Sequence, residues 1–583
     1  MLTIISINIR NVNEAEYIMY LLRELRKYSN KIVACISAEA DTRLSVSLQG
    51  MVDVVYSYDT NIDINRYRDV IVNKLGWELV REFERVLMLN DSCFGPLYSL
   101  DAFFYEVNDV DFWGVTEHGP MIFDYPKGTV NCSRFLQTYF LVINNRMLNS
   151  AEFKDYIESL PNFNTYEAAA TGFEYSFTSY FENLGFEWKA QIDTRDLEAE
   201  NPRFFQSPIL FNLYELITER KFPFIPRVCF TLDKETILVH DIDNHLKEIL
   251  EYVETNSDYD IDLIYNNLIR TMDIHDILVN LNLNYVVMEK EEKNDGVKLG
   301  IFAYLFYPEL FSYSLKKLSS LPLDADIYIA TNNLEKVETL RNMVNESMNE
   351  HRVKIMIHSK RGRDISALLL TFGDYVLNYD LACFIHDKKS SQLDYTTAGK
   401  AFNCWIWENM LHSRRYINGV VNLFENNKHL GYLAPPPVYH STYFKTSLDT
   451  WTICYDATTD LAKRIGVNLN LNRKKGPDLL GSAFWFRPVA LKKLLEFNFK
   501  ETDFPEEPLP LDGSFNHAME RIFPYIVQEA GYISGIIMTN GYAAVNYNNY
   551  RENINRIMNL ISARDESVNT ATFYTTIMTL ERK

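Results

Sequence analysis

One local pattern occurs twice in the chain, roughly 350 residues apart. Glu174 begins the segment EYSFTSYFENLGF, and Glu520 begins the segment ERIFPYIVQEAGY. In each copy a Phe lies three residues after the Glu, a Gly lies eleven residues after it, and an aromatic residue follows the Gly. A repeat at this distance indicates two related domains. It constrains the fold strongly, because both halves must then build the same set of elements.

Each half of the chain also alternates apolar strands with helices. The strands of the first cycle are LTIISINI, KIVACIS, VDVVYSY and RVLMLND, and those of the second are VKLGIFAYLFY, ADIYIATN, VKIMIHS and LACFIHD. This alternation is typical of a largely parallel sheet covered by helices. We therefore predict an α/β fold in which Asp91 and Asp387 follow equivalent central strands, and in which Phe140 superposes near Trp485.

The domains are predicted at 1–200 and 296–583, with a helical connector at 201–295. The connector holds the proline-containing stretch NPRFFQSPILFNLYELITERKFPFIPRV and the helical pattern HLKEILEYVETNSDYDIDLIYNNLIRTM. Its last residues, KEEKND, form a charge run that indicates a solvated hinge. The polar, Asn-rich sequence after Asn546 predicts a C-terminal helical tail.

Composition excludes several classes of protein. A net charge of -20 at pH 7 opposes a general affinity for nucleic acid, whose phosphates require a basic surface. Seven scattered cysteines without metal-ligand spacing indicate a reducing, cytoplasmic compartment. The apolar stretch LGIFAYLFY is much shorter than the roughly 20 residues that cross a bilayer, and the N-terminus lacks the features of a signal peptide. We expect a cytoplasmic enzyme, with contact to the inner membrane face left open.

Polar side chains follow both central strands, where parallel sheets bind their ligands. The first strand ends in Asn90 and Asp91, and the second in the run His386, Asp387, Lys388, Lys389 and Ser390. The strand-end aspartates either hold a divalent ion, Mg²⁺ or Mn²⁺, on the diphosphate of a sugar nucleotide, or cap a turn. The lysines either neutralise that diphosphate or form an exposed loop. His386 fits three roles equally well: a metal ligand, a hydrogen-bond donor to the diphosphate, or a polar residue whose hydrogen bonds are satisfied within the protein.

A second pair of aspartates lies just before a predicted helix in each half. Asp364 follows Arg363 in GRDI, and Asp63 lies in the shorter counterpart NIDI. The functional interpretation is that Asp364 and its neighbours recognise the base and ribose of a sugar nucleotide that serves as the glycosyl donor. The alternative is that each aspartate caps its helix.

The repeated glutamates are candidates for a general base. An inverting glycosyl transfer needs a base to remove the proton from the acceptor hydroxyl. Glu174 and Glu520 are each predicted to open a helix, where they either serve as that base or act as a cap or ion-pair partner. Asp512, in PLPLDGSFNH, is the rival base in the second half.

The second half of the chain resembles the rhamnan synthesis protein F family of bacterial cell-wall polysaccharide glycosyltransferases. The matching stretches are GRDI, FIHDKKS, VNLFENNKHLGYLAPPPVYHSTYF, GSAFWFRPVALKKLL and DFPEEPLPLDGSFNHAMERIFPYIVQEAGY. The first half resembles the same family in LMLNDSCFGPL, VDFWGVTEH and RFLQTYFLVINNRML, and the connector in FPFIPR. The resemblance therefore covers most of the chain.

This resemblance implies two tandem GT-A-like glycosyltransferase domains, each a Rossmann-like nucleotide-sugar fold. It also implies a rhamnosyltransferase that uses dTDP-L-rhamnose to extend a lipid-linked saccharide at the cytoplasmic membrane face, with Glu174 and Glu520 as bases. The first half departs from the pattern, because it reads NIDINRYRD where the second half has the glycine of GRDI. Loss of that glycine restricts close approach of the backbone to a nucleotide.

Two alternatives remain open at the level of sequence. In one, only the C-terminal domain is active and the first half is an acceptor-binding scaffold. In the other, the protein is a non-catalytic carbohydrate-binding or assembly module. A Rossmann dehydrogenase is disfavoured, because neither first strand is followed by G-x-G-x-x-G.

Overall fold

The computed structural model describes residues 1–562, with the exception of 106–109, 126–127, 199–206, 233–244, 293–295, 360, 390–395, 438–449, 470, 480 and 511. Ser390 of the predicted donor loop, the end of the KEEKND run and residues 438–444 of the family-like stretch lie outside the described residues. The chain forms two compact units, of which the first comprises Met1–Leu268 and the second begins at Ile269. This division falls inside the segment predicted as a connector, whose exact limits stay a prediction.

The first unit is built on a seven-stranded sheet in the order β7-β5-β6-β4-β1-β2-β3. Its strands are β1 (Leu2–Ile7), β2 (Lys31–Ser37), β3 (Val54–Tyr58), β4 (Arg85–Asn90), β5 (Phe112–Gly114), β6 (Phe140–Asn144) and β7 (Trp188–Ala190). Only β6 runs antiparallel to its neighbours. All six residues of β1 are buried, as expected for a parallel strand covered on both faces.

The second unit is built on an eight-stranded sheet in the order β8-β15-β13-β14-β12-β9-β10-β11. Its strands are β8 (Asn284–Val286), β9 (Leu299–Tyr304), β10 (Asp326–Thr331), β11 (Arg352–Ile357), β12 (Leu381–His386), β13 (Leu430–Ala434), β14 (Phe484–Phe486) and β15 (Ile533–Met538). Here only β14 runs antiparallel to its neighbours.

The two sheets repeat one topology. Apart from the additional edge strand β8, both have the same strand order, and the single antiparallel strand takes the same place beside the central strand. A π-helical turn also precedes the central strand in both units, at Val70–Leu75 and Ala367–Thr371. The prediction of a mixed α/β fold with two related, mainly parallel sheets is confirmed.

Helices connect and cover the strands of both units. Those of the first unit are Glu16–Arg26, Thr42–Gln49, Asp63–Asp69, Gly76–Val80, Asp101–Tyr105, Asn145–Leu148, Ala151–Ser159, Tyr166–Ala169, Tyr175–Asn183, Pro208–Phe211, Leu213–Thr218 and Leu246–Asn256. The helix Asp262–Thr271 contains the division between the units. Those of the second unit are Ile274–Asn280, Pro308–Leu318, Leu334–Ser347, Arg363–Ser366, Gly373–Val376, Thr396–Met410, Arg414–Asn426, Tyr455–Ile465, Lys492–Leu495, Phe515–Glu529 and Asn540–Ser562. Within the described residues, no helix combines the length and apolar character needed to cross a bilayer.

The repeated Phe and Gly have structural roles in both units. Phe177 and Phe523 are fully buried in the helix that precedes the last strand of the repeat. Gly185 and Gly531 follow these helices with φ angles of 86° and 90°, a left-handed conformation that favours glycine. The repeated sequence pattern therefore corresponds to a helix that both units share and to the turn that ends this helix.

The predicted equivalence of Phe140 and Trp485 is wrong by two residues. Trp485 pairs with Cys383, which lies four residues before Asp387. In the first unit the residue four before Asp91 is Leu87, and its partner is Val142. Both segments are continuous apolar runs, so their sequences contain no signal that fixes the register.

Candidate active site

The central strand of the second unit is followed by a buried aspartate that binds the backbone of the neighbouring turn. Asp387 Oδ2 accepts hydrogen bonds from the backbone amides of Phe306, at 2.9 Å, and Tyr307, at 2.8 Å. Burial raises the pKa of Asp387 to about 7, although these two amides favour the ionised carboxylate. The carboxylate therefore holds the turn after β9.

Asp91 repeats this arrangement in the first unit. Its Oδ2 accepts hydrogen bonds from the backbone amides of Asn8, at 2.8 Å, and Ile9, at 3.0 Å, in the turn after β1. Its backbone carbonyl accepts a hydrogen bond from the Tyr17 hydroxyl at 2.7 Å. Burial raises the pKa of Asp91 as well. The two aspartates are thus equivalent in position and in bonding.

The contacts of these two aspartates distinguish the two roles that the sequence suggested for them, a ligand of a divalent ion or an anchor of a turn. Backbone amides bind Oδ2 of Asp91 and both carboxylate oxygens of Asp387, and both residues are 5% exposed. Across the described part of the chain, no group of three or more His, Cys, Asp or Glu residues is arranged to hold a metal ion. The interpretation as a structural anchor of the turn is therefore the one that the contacts favour.

Glu520 lies inside a helix and does not open it, which corrects the sequence-based prediction. The helix Phe515–Glu529 begins five residues earlier, because Ser514 and His517 form a reciprocal capping box at its N-terminus. Glu174 also lies within a continuous helical segment. It is the last residue of the π-helical turn Ala170–Glu174, which joins the helix Tyr166–Ala169 to the helix Tyr175–Asn183. The helix dipole that would lower the basicity of a first-turn carboxylate acts mainly on the terminal turns.

The environment of Glu520 suits a base. Its side chain is partly exposed, and burial raises the pKa of its carboxyl group. The cations Lys388 and Arg521 oppose this shift, whereas the negative charge of Asp364 adds to it. A carboxylate with a raised pKa holds a proton more readily at neutral pH.

The rival base, Asp512, has the opposite electrostatic setting. It accepts hydrogen bonds from the Thr452 hydroxyl, the Cys454 thiol at 3.1 Å and the Gly513 amide at 2.8 Å. Burial would raise the pKa of Asp512, but these hydrogen bonds outweigh burial and hold the pKa below its usual value. Of the two carboxylates, Glu520 is therefore better suited to accept a proton.

Asp364 lies beside a strained turn and does not cap its helix. The N-cap position is Gly362, whose φ of 77° is left-handed, and no side chain bonds to the free amides there. A Cβ atom at Gly362 would lie 2.7 Å from the Phe504 ring and 2.7 Å from Ser366 Cβ. Arg363 is also left-handed and makes a two-pronged ion pair with Glu507. The glycine thus allows the close approach that places Asp364.

The side chain of Asp364 is joined to the end of β12 through a serine. The Ser482 hydroxyl donates a hydrogen bond to Asp364 Oδ2, and its Oγ lies 3.1 Å from His386 Nε2. Sequence reasoning missed Ser482, which directly precedes the apolar strand segment AFWF. The structure therefore joins Asp364 and His386 through Ser482, and Asp364 acts electrostatically on Glu520.

The two lysines after Asp387 differ in their contacts. Lys388 is exposed, its backbone amide donates to Asn403, and its ammonium group lies 4.8 Å from the centre of the Phe402 ring. Lys389 forms an exposed ion pair with Glu309 at 2.6 Å. The positive charge of Lys388 lowers the pKa of Glu520, so Lys388 is close enough to act electrostatically on that carboxyl group.

The equivalent residues of the first unit bond to one another. Asp63 accepts hydrogen bonds from Ser6 at 2.6 Å and from the amide of Asn90 at 2.9 Å. Burial raises the pKa of Asp63 in spite of these bonds. Glu174 accepts a hydrogen bond from the Thr138 amide at 3.1 Å, and burial raises its pKa too. Asp63 and Glu174 correspond to Asp364 and Glu520 of the second unit, and the groups that donate these hydrogen bonds are neutral.

A buried arginine, which sequence reasoning also missed, fills the strand ends of the first unit. Arg66 is fully buried. Its guanidinium donates to the Thr60 carbonyl at 2.8 Å, the Ser6 hydroxyl at 2.9 Å and the Ile7 carbonyl at 3.2 Å. Counted from Asp63 and Asp364, the second unit has Ala367 at the same position. The crevice at the ends of β1 and β3 is therefore occupied by protein.

Comparison with known proteins identifies relatives of the chain. A family model described as rhamnan synthesis protein F matches residues 33–532. A curated relative, uncharacterized protein WxcX of Xanthomonas campestris pv. campestris (strain B100), is 27% identical over 175 residues, or 30% of this chain and 23% of the relative. The match thus spans less than a quarter of that relative's length.

Two similar solved structures are those of the glycosyltransferase GlyE of Streptococcus pneumoniae TIGR4, one of them the apo form. They are 13% and 12% identical, cover 67% of this chain and 86% of their own chains, and have TM-scores of 0.21. Likeness at this level carries no argument about the fold or the function.

Proposed function

Because the chain belongs to the rhamnan synthesis protein F family, we propose that it is a glycosyltransferase that extends a rhamnose-containing polysaccharide. The donor is a nucleotide sugar, dTDP-L-rhamnose, and the acceptor is a lipid-linked saccharide at the inner face of the membrane. We place the catalytic centre in the second unit, where Glu520 is the base.

The observation that carries this proposal is the combination of charges around Glu520. The carboxyl group of Glu520 has a raised pKa and lies within electrostatic range of the cation Lys388 and of Asp364, which Ser482 joins to His386. A leaving nucleoside diphosphate needs positive charge, and an attacking hydroxyl needs a base. Both requirements are met at the carboxyl end of β12, where ligands of such sheets bind.

The proposed chemistry is a single inverting displacement. The oxygen of the acceptor hydroxyl forms a bond to the anomeric carbon, while its proton passes to the carboxylate of Glu520. The bond between the anomeric carbon and the diphosphate breaks, and its electron pair leaves with dTDP. Lys388 stabilises the charge that develops on the diphosphate. Asp364 and Arg363 are proposed to contact the ribose and base of the donor.

The first unit is proposed to be a scaffold that binds the acceptor. Asn90 and Ser92 occupy the positions of His386 and Lys388, so the first unit has no counterpart of the lysine that follows β12. The guanidinium of Arg66 fills the crevice beside Asp63. Both differences oppose binding of a nucleoside diphosphate, and they favour one working centre over two.

A matched pair of substitutions tests the proposal. Glu520→Gln keeps the size of the side chain but removes the base, and should lower acceptor-dependent release of dTDP about 10²–10⁴-fold with donor binding nearly unchanged. Glu174→Gln is the control in the equivalent position, and should change turnover less than threefold. Loss of activity in both variants would support two centres, and saccharide binding without turnover in the unaltered protein would support a binding module. Unchanged turnover in Glu520→Gln would transfer the role of base to Asp512.

A further inference from the structure

A buried asparagine joins the helix that carries Glu520 to the turn that places Asp364. Asn516 lies in the first turn of the helix Phe515–Glu529, and its Nδ2 atom donates a hydrogen bond to the carbonyl oxygen of Gly362 at 2.9 Å. Since a carbonyl oxygen can only accept, the NH2 group of the side-chain amide must face Gly362. Asn516 is 5% exposed, so water does not compete strongly for this hydrogen bond.

This contact is the buried polar link between the turn and the helix. Among the described residues, it is the only hydrogen bond that joins residues 361–366 to the helix. The arginines of the same turn instead form ion pairs with the exposed residues Glu506 and Glu507. Exposed ion pairs stabilise a contact only weakly, because the ordering of long side chains offsets much of the attraction between the charges. The position of the turn against the helix therefore depends on Asn516.

The spacing along the helix couples this link to the base. Asn516 precedes Glu520 by four residues, so both side chains lie on the same face of the helix, one turn apart. The carbonyl that Asn516 binds belongs to Gly362, two residues before Asp364. Asp364 in turn lies within electrostatic range of Glu520. One hydrogen bond therefore fixes the base relative to the residue that we assign to the donor.

We propose that Asn516 is a positioning residue, which holds the base Glu520 in place against the turn that binds the donor. An inverting displacement needs the base beside the acceptor hydroxyl while the donor is held in line, and a displacement of about 1 Å can lower the rate about 10²-fold. A hydrogen bond that is formed before the substrates bind supplies this geometry without reorganisation. The positioning role rests on the proposed function, whereas the contact itself does not.

The corresponding positions of the first unit cannot form this hydrogen bond. At the position of Asn516, counted from the repeated glutamates, the first unit has Ala170, whose methyl side chain has no donor. At the position of Gly362, counted from the aspartates two residues later, it has Asn61, whose amide oxygen accepts a hydrogen bond from Arg66 at 3.2 Å. The link is therefore a feature of the unit in which we place the catalytic centre.

A double-mutant cycle on the full-length chain tests this role. Asn516→Ala should lower kcat for acceptor-dependent release of dTDP at least tenfold per folded molecule, and should leave KM for dTDP-rhamnose within threefold of its value in the unaltered protein. In the Glu520→Gln background the same substitution should change kcat less than twofold, because a residue that acts only through the base has no effect once the base is gone. Asn516→Ser, which also lacks the amide group, takes the place of Asn516→Ala if that variant fails to fold.

Asn418→Ala is the matched control for the loss of a buried amide. Asn418 is 2% exposed, and its Nδ2 atom donates to the carbonyl oxygens of Lys290, at 3.2 Å, and Glu291, at 2.8 Å. We expect Asn418→Ala and Asn516→Ala to lower the midpoint of urea denaturation by similar amounts. Only Asn516→Ala should lower kcat per folded molecule, since Asn418 has no contact with the helix that carries the base.

The possible results separate this inference from the proposed function. An unchanged kcat in Asn516→Ala, an equal loss of kcat in Asn418→Ala, or multiplicative effects of Asn516→Ala and Glu520→Gln would overturn the positioning role while Glu520 remains the base. Full turnover in Glu520→Gln, or absence of turnover in the unaltered protein, would refute the proposed function and, with it, the role of Asn516.

Discussion

The buried carboxyl of Asp387 should make the stability of the second unit depend on pH. Its pKa is raised from 3.8 to about 7 in the folded chain. A group with a raised folded pKa stabilises the fold fully below its unfolded pKa, and this contribution is lost as the pH rises through the folded value. With roughly 1.4 kcal/mol per pKa unit, the contribution is about 2–3 kcal/mol at pH 5 and close to zero at pH 8.

Asp387→Asn removes this titration and keeps the size of the side chain. The amide oxygen still accepts one backbone hydrogen bond, while the NH2 group faces the amide of Phe306 or Tyr307, at a cost of about 1–3 kcal/mol. That cost is independent of pH. The stability difference between the unaltered protein and the variant should therefore shrink by about 2–3 kcal/mol between pH 5 and pH 8.

Urea denaturation followed by tryptophan fluorescence at both pH values measures this difference. Asp460→Asn is the control, because Asp460 is an exposed residue whose side chain is 78% accessible. A difference that stays constant within about 0.5 kcal/mol would refute the reasoning, since it would mean that Asp387 is ionised throughout this range and that its two amide hydrogen bonds outweigh its burial.

Three further substitutions test other contacts. Lys388→Ala should weaken dTDP binding about tenfold by calorimetry without loss of folding. Lys389→Ala, which removes an exposed ion pair with Glu309 and a cation–π contact with Tyr307, should change dTDP binding less than threefold. Equal effects of the two substitutions would contradict the assignment. Gly362→Ala should lower the free energy of unfolding by about 1–3 kcal/mol, because residue 362 has a φ of 77° and a Cβ atom there would meet the Phe504 ring. Thermal unfolding measures this change, and an unchanged Tm would exclude that strain. Arg66→Met should lower the free energy of unfolding by about 3–5 kcal/mol, because Arg66 is fully buried, and should leave turnover per folded molecule unchanged. Tighter binding of dTDP or loss of catalysis would instead assign the arginine a role in the reaction.

The sequence predicted the elements well because their signals are local. Apolar runs such as LACFIHD predict buried parallel strands without knowledge of their partners. The glycines at 185 and 531 predict the ends of two helices, since each lies at a left-handed position. The helix that carries Glu520 begins at Phe515, after the N-cap residue Ser514, and not at the glutamate that the repeat pattern indicated.

The bonding of individual polar groups depended on residues far away in the chain. The strand-end position of Asp387 followed from the sequence, but the amides that it binds lie about 80 residues earlier, in the turn after β9. Ser482 and Asp364 are 118 residues apart in the sequence, and no local sequence pattern indicates the hydrogen bond between them. In the sequence Arg66 resembles any other helix residue. Its burial follows only from the folded structure, in which the ends of three strands surround its guanidinium group.

By itself, the sequence determined that this protein has two related α/β units and that each carries an aspartate after its central strand and a glutamate in a later helix. These features follow from periodicity and repetition, which a single chain displays directly. Only the tertiary structure decided that the aspartates anchor turns, that Lys388 lies within electrostatic range of Glu520, and that a serine joins Asp364 to His386. The direction of a side chain and the charge of its partners are set by the register between strands, and the register is a property of pairing across the sheet.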